Sequence, residues 1–323
     1  MLITRRRFGA LVPAAAFTVS LPGLSATNQP LKMIVGFAPG GTADAVARAL
    51  ADGMRGSGFN VVVDNRPGAG GRIGTEAFMM APADGNTLLL TPSTNLTLFP
   101  HIYSNLRYKL SDLAIIGAPA NVQFGLAVNA QDGPKTLAEF LDRAKQDPAY
   151  ASYGTPGAGS VMQLLGDLLA KHAKVPLVSV PYKGGAAALN DVIGGSLGAA
   201  LTALPNLLPM HRNGKLRILA VSSEERQAAL PEVPTFKSAG FPQLTASEYM
   251  CVVARREVPA PVLANLSAAV TAAAKAPATV AIMDRLGYQA SPGADQAALA
   301  RKLSADSARW QVAVRETGFK AAE

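Results

Sequence analysis

LKMIVGFAPGGTADAVARALADGM, residues 31–54, decides the fold. Leu31 to Phe37 is an apolar run that ends at a turn, the pattern of a buried strand. Pro39, Gly40, Gly41 and Thr42 form a glycine turn. Ala43, Val46, Ala47, Leu50 and Met54 then recur at the spacing of one helical face. Asn60 to Val63 reads as a second strand. Strand, turn, helix and strand make one unit of a parallel α/β sheet.

The pattern restarts near residue 130. Asp132, Gly133 and Pro134 make a turn. Thr136 and Glu139 form a capping box for a helix with Leu137, Phe140, Leu141 and Ala144 on one face. Tyr150 to Gly154 is a strand that runs into Thr155, Pro156, Gly157, Ala158, Gly159 and Ser160. Val161, Leu164, Leu165 and Leu168 mark the helix that follows. Two strand–loop–helix units in two lobes would bring two helix N-termini to one cleft. Between the units lie a glycine-rich structural turn (65–71), a short helix (74–80) and a strand (87–90). Two further short strands follow, at 113–118 and 122–128. Later strands are expected at 178–180, 216–221 and 249–254, with helices at 186–194, 260–274, 278–286 and 297–316.

The chain's 323 residues are enough for two domains. Hydrophobic residues make up 49% and charged residues 16%, the balance of an ordered chain. Cys251 is alone, so neither an internal disulfide nor a multi-cysteine metal site is expected. His101, His172 and His211 share no ligand spacing, and no metal or cofactor is expected. The formal charge is +8, without a basic run interleaved with aromatics, which argues against nucleic-acid binding.

Residues 1–26 have the plan of an export signal: Arg5, Arg6 and Arg7, then an apolar stretch from Ala10 to Leu21, then small residues to Ala26. Thr4 to Phe8 fits a twin-arginine signal and an ordinary secretory one equally. Its removal leaves a charge of +5. No later run has the roughly 18 unbroken apolar residues of a membrane span. The mature chain is therefore expected in the periplasm, soluble, with a monomer as the default state.

A glycine loop that opens a helix is an anion site, because the first helical N–H groups lack partners and the helix dipole adds positive potential. Nucleotide fingerprints are incomplete. After Gly157 and Gly159, and after Gly68 and Gly70, the third glycine of a dinucleotide loop is missing. Ser160 stands where a phosphate-binding loop needs Lys. Ser160 also lacks a nucleophile elbow, since Ala158 and Met162 occupy the glycine positions. An enzyme is not expected.

With these loops in place, the chain resembles the solute-binding proteins of the tripartite tricarboxylate transporters, the Bug family. The segments that carry the resemblance are PGGTADAVAR (39–48), DNRPGAGGRIGTEA (64–77), APADGNTLLL (81–90), YGTPGAGS (153–160), VPYKGGAAALNDVIGG (180–195), GKLRILAV (214–221) and PEVPTFKSAGFP (231–242). The resemblance implies an α/β two-lobe periplasmic binding fold of type II-like form, with the ligand cleft between the lobes. Lobe 1 would comprise 27–125 plus 250–323, and lobe 2 would comprise 126–249. It implies a small organic acid as ligand and the membrane components of a tripartite tricarboxylate transporter as partners. A ligand-presenting sensor for a signalling receptor has the same sequence signature.

Carried over by motif position, the ligand loops are Pro39, Gly40, Gly41, Thr42 and Asp44, and Thr155, Gly157, Gly159 and Ser160. Phe37, Thr91, Ser93, Thr94, Thr202 and Tyr249 complete the set. Asp44 has the alternative role of a helix cap, Phe37 that of core packing, and Lys183 that of a turn residue. Tyr249 either stacks on the ligand or packs. The chain departs from the family at Gln163, where His is usual, and at Gly198 and Thr202, where acidic residues are usual. If both face the cleft, the pocket is less acidic.

Overall fold

Parallel pairing of β1 (Leu31–Val35) with β2 (Val61–Asn65) sets Leu31 beside Val61 and Val35 beside Asn65. Parallel neighbours need a crossover, which α1 (Thr42–Met54) supplies. Its Val46, Ala47, Leu50 and Met54 are fully buried, as their spacing requires. The computed structural model describes residues 30–291 and 295–320; the expected export signal lies outside them.

After α2 (Arg72–Met79), β3 (Thr87–Pro92) pairs parallel with the other edge of β1. Two short helices follow, α3 (Ser93–Thr97) and α4 (Phe99–Ile102). β4 (Leu113–Asn129) is then a single strand of 17 residues, where the sequence suggested two. The break suggested near Pro119 is only a shift of register, with irregularities on either side of Gly117. Pro119 has no N–H to give, but its carbonyl accepts from Ser291 N–H at 2.9 Å, so the strand continues.

The second unit holds α5 (Leu137–Gln146), β5 (Ser152–Thr155), α6 (Val161–Ala173) and β6 (Val178–Pro181). It continues through α7 (Gly185–Ile193), β7 (Ala199–Ala203), α8 (Leu204–Arg212) and β8 (Leu216–Val221). β5 is parallel to both β6 and β7. The chain returns along β9 (Ser247–Arg255), then α9 (Ala260–Lys275), α10 (Pro277–Arg285), β10 (Gln289–Ala290) and α11 (Gln296–Thr317).

The strand order is β2-β1-β3-β9-β4-β7-β5-β6, with β8 and β10 also on β4. β4 joins everything. Leu113 to Gln123 pair with β9, and Phe124 to Asn129 pair with β7 and β8. α11 also reaches both halves. Leu299 and Leu303 pack with Ile34, Phe78 and Leu89, whereas Trp310, Ala313 and Phe319 join Phe140, Leu164 and Leu165. Among the described residues, no single helix is long and apolar enough to cross a membrane.

Strand direction positions the site. β3 is antiparallel to β9, β9 to β4, and β4 to β7. β1 and β3 therefore run with β4, and β5 and β7 run against it. The C-terminal ends of the two parallel groups point toward each other. Pro92, at the end of β3, lies opposite Met250, and Met250 lies opposite Ala120; Ala203, at the end of β7, lies opposite Phe124. The two edges thus face each other across residues 120–124 of β4, about 13 Å at the rise of an extended strand.

Candidate functional site

Each glycine loop is closed by a side chain from the helix it opens. In the first, Asp44 Oδ2 accepts the Gly40 N–H at 2.9 Å and Arg48 Nε at 2.8 Å. The Arg48 bond is the main reason its carboxyl sits below the usual range; burial opposes it, and Gly40 adds to it. Asp44 therefore ties the loop to α1 without capping a helical N–H, and its other oxygen, Oδ1, is buried and without a partner among the described residues. In the second loop, Ser160 Oγ accepts the Gln163 N–H at 3.2 Å, and Gln163 Oε1 accepts the Gly159 N–H at 3.0 Å. Ser160 thus caps α6, and Gln163 reaches back past the cap to the residue before it. Gly159 sits at φ 77°, where a side chain would be strained.

The glycine-rich turn backs the first loop. A Cβ on Gly36 would lie 2.7 Å from Gly71 Cα, and one on Gly74 would lie 2.5 Å from Gly36 Cα. Only glycines allow this approach of backbone to backbone. Asn65 Nδ2 donates to the Phe37 carbonyl at 3.0 Å, and Asn95 Nδ2 to the Gly70 carbonyl at 3.0 Å. The Phe37 ring lies over Gly71 and packs against the core of α1.

These bonds leave particular donors for a ligand. Gly40 and Gly159 give their N–H groups to side chains. Thr42 and Ala43, and Val161 and Met162, are first-turn residues whose N–H groups have no partner among the described residues. These four donors stand at the two facing edges.

The remaining expected residues gather in two sets. Thr155 donates to the Gly157 carbonyl at 3.4 Å. Thr202 accepts from Asn206 Nδ2 at 3.2 Å, and a Cβ on Gly185 would lie 2.3 Å from its hydroxyl. Lys183 is exposed, in a turn where the Gly184 N–H bonds the Pro156 carbonyl. Gly198 lies just before β7, pressed on the backbone of Ala149 and Tyr150, at the opposite end of the strand from Ala203. On the other side, Thr91 is buried with its hydroxyl unpaired among the described residues. Ser93 Oγ accepts the Tyr249 N–H at 3.0 Å, and Thr94 donates to the Glu248 carboxylate.

Tyr249 and Glu248 are strand neighbours and point to opposite faces. The Tyr249 ring lies 5.4 Å from Lys302 Nζ of α11, in a groove shared with Asp306 and Arg309. Glu248 was not among the expected residues. It lies opposite Val122, within the stretch of β4 that separates the two edges. Burial pushes its carboxyl above the usual range, and the Thr94 bond opposes that. A charged residue in the apolar run of residues 247–254 was the signal for it.

The family model described as tripartite tricarboxylate transporter family receptor, TctC, matches residues 31–319. The chain belongs to this receptor family. BugT of Bordetella pertussis is 33% identical to this receptor over 322 residues, covering 97% of this chain and 96% of BugT. The malate-bound MatC protein of Rhodopseudomonas palustris is 26% identical, with a TM-score of 0.75, covering 88% of this chain and 98% of that one. An adipate-bound protein of the same organism is 26% identical, with a TM-score of 0.79, covering 91% and 99%. In this TctC receptor Gln163 closes the second loop on Gly159.

Proposed function

We propose that this receptor captures a small organic carboxylate between the two facing edges and hands it to the membrane components of a tripartite tricarboxylate transporter. One observation carries the reading. Thr42, Ala43, Val161 and Met162 offer four N–H groups without partners among the described residues, at the starts of two helices that follow strands of the two parallel groups whose ends face each other across β4. Paired N–H groups at a helix start hold a carboxylate with charge-assisted bonds. The malate and adipate held by the two R. palustris relatives are acids of this kind.

The finer parts of the proposal follow. The ligand site is made by the loops 37–44 and 155–160 with Thr91, Ser93, Thr94 and Thr202, and Tyr249 borders it from the α11 side. Lobe 1 is 27–125 plus 250–323 and lobe 2 is 126–249, and they close on the ligand about the strands that cross between them. Residues 1–26 direct export, and the mature monomer works in the periplasm. The acid leaves unchanged, without catalysis.

The test is thermal unfolding of the chain from Thr27 on, against a panel of small carboxylates. A ligand at 100 times its Kd adds about 2.7 kcal/mol, enough to raise the melting temperature by several degrees. A shift with an acid that is recovered intact supports the proposal. Conversion of the acid refutes the non-enzymatic part. No shift after unfolding and refolding to strip a co-purified ligand refutes carboxylate capture.

A further inference from the structure

Glu248 is a carboxylate in a cleft built for carboxylates. It sits opposite Val122, inside the stretch of β4 that the ligand must span. Only one of its oxygens is used: Oε1 accepts the Thr94 hydroxyl. Oε2 has no partner among the described residues, and the residue is only partly buried, so that oxygen is free to accept a further bond. No Lys, Arg or His among the described residues neutralises it; its surroundings are the Thr94 hydroxyl and, within electrostatic range, Tyr288 and Cys251. Glu248 therefore lies on the stretch that separates the two edges, tied by Thr94 to the end of β3, with the N–H groups proposed to hold the ligand carboxylate on either side.

A ligand anchored there presents its other end to Glu248. A second carboxylate would set two like charges together, or would need a proton shared between them. A hydroxyl would satisfy the open oxygen. An ammonium would satisfy it and supply the missing counter-charge, in a site where desolvation makes that pairing count. We infer that Glu248 determines specificity in this receptor, selecting acids whose far end is a hydrogen-bond donor, an ammonium ahead of a hydroxyl, over dicarboxylates. This rests on the carboxylate-capture reading above.

The test is calorimetric titration of the purified chain with length-matched probes of four, five and six carbons: the dicarboxylate, the terminal hydroxy acid, the terminal amino acid and the plain monocarboxylate. At one length or more, the amino acid is expected to bind at least about tenfold tighter than the dicarboxylate, the advantage of a charge-assisted bond. Glu248→Gln should shrink that ratio to about threefold or less, because the amide keeps the shape and the Thr94 bond but loses the charge. If the dicarboxylate binds as tightly as the amino acid in the unsubstituted protein, the inference fails while carboxylate capture stands. That comparison needs no variant and holds even if Glu248→Gln does not fold. If no probe binds after the protein has been unfolded and refolded, carboxylate capture fails and the inference with it.

Discussion

Gln163 Oε1 accepts the Gly159 N–H at 3.0 Å, so a side chain in the first turn of α6 closes the loop that precedes it. Asp44 closes on Gly40 in the same way at 2.9 Å, and Glu139 on the Lys135 N–H at 2.8 Å. The two glycine loops thus borrow an ordinary helix-start lock. Gln163→Leu should release the Gly159 N–H and cost about 1 kcal/mol, seen as a lower urea midpoint at unchanged slope. Gln163→Glu keeps the acceptor and places negative charge at a helix start, so it should be neutral or stabilising.

Asp44 gives the first lock a pH dependence. Arg48, helped by the Gly40 N–H, holds its carboxyl below the usual carboxylate range. A folded-state pKa below the unfolded one means stability that is present above about pH 4 and lost as pH falls through the folded value. Asp44→Asn should flatten the fall in melting temperature between about pH 5 and pH 3. An unchanged slope would show that the Arg48 bond is broken in solution.

Asp167 acts with the opposite sign. Burial raises its carboxyl, and the Tyr153 hydroxyl, which donates to it at 2.9 Å, only partly offsets this. A raised folded pKa gives stability that is full below the ordinary carboxylate value and lost as pH rises through the folded one. Between about pH 4 and pH 7 the unsubstituted chain should lose part of this contribution. Asp167→Asn should lessen that loss, measured as the difference in melting temperature between the two pH values.

What could be read in advance follows from which signals are local. α1 was legible because Val46, Ala47, Leu50 and Met54 are all fully buried on one helical face. The cap at Thr136 was legible because its residues lie three apart, and the Glu139 N–H does bond Thr136 Oγ1 at 3.1 Å, although the Glu139 carboxylate reaches back to Lys135 and not to Thr136. β4 was not, because Gly117 and Pro119 look like an ending until β9 and β10 are there to pair across them. α8 was hidden by Pro205 and Pro209, although Pro205 stands in its first turn, where a missing N–H does no harm. Glu248 could be seen in the sequence, but its meaning depends on Thr94, 154 residues away.

Two glycines separate loop shape from core packing. A Cβ on Gly166 would lie 2.1–2.3 Å from the Tyr153 ring and hydroxyl, which the bond to Asp167 holds in place. Gly166→Ala should therefore overpack the second unit's core by about 1–3 kcal/mol and lower the melting temperature. It lies away from the loop edge, so ligand affinity should persist below the new melting point. Gly71 is at φ 96°, and its Cβ would meet Asn95 Nδ2 at 2.6 Å and the Phe37 ring at 3.2 Å. Gly71→Ala adds backbone strain of about 1 kcal/mol to that clash and presses on Phe37, which leads into the first glycine loop, proposed to hold the ligand. It should lower stability and ligand affinity together. Melting temperatures and titrations of both variants with one acid decide the matter: equal losses of affinity would mean that the Phe37 loop is not part of the ligand site.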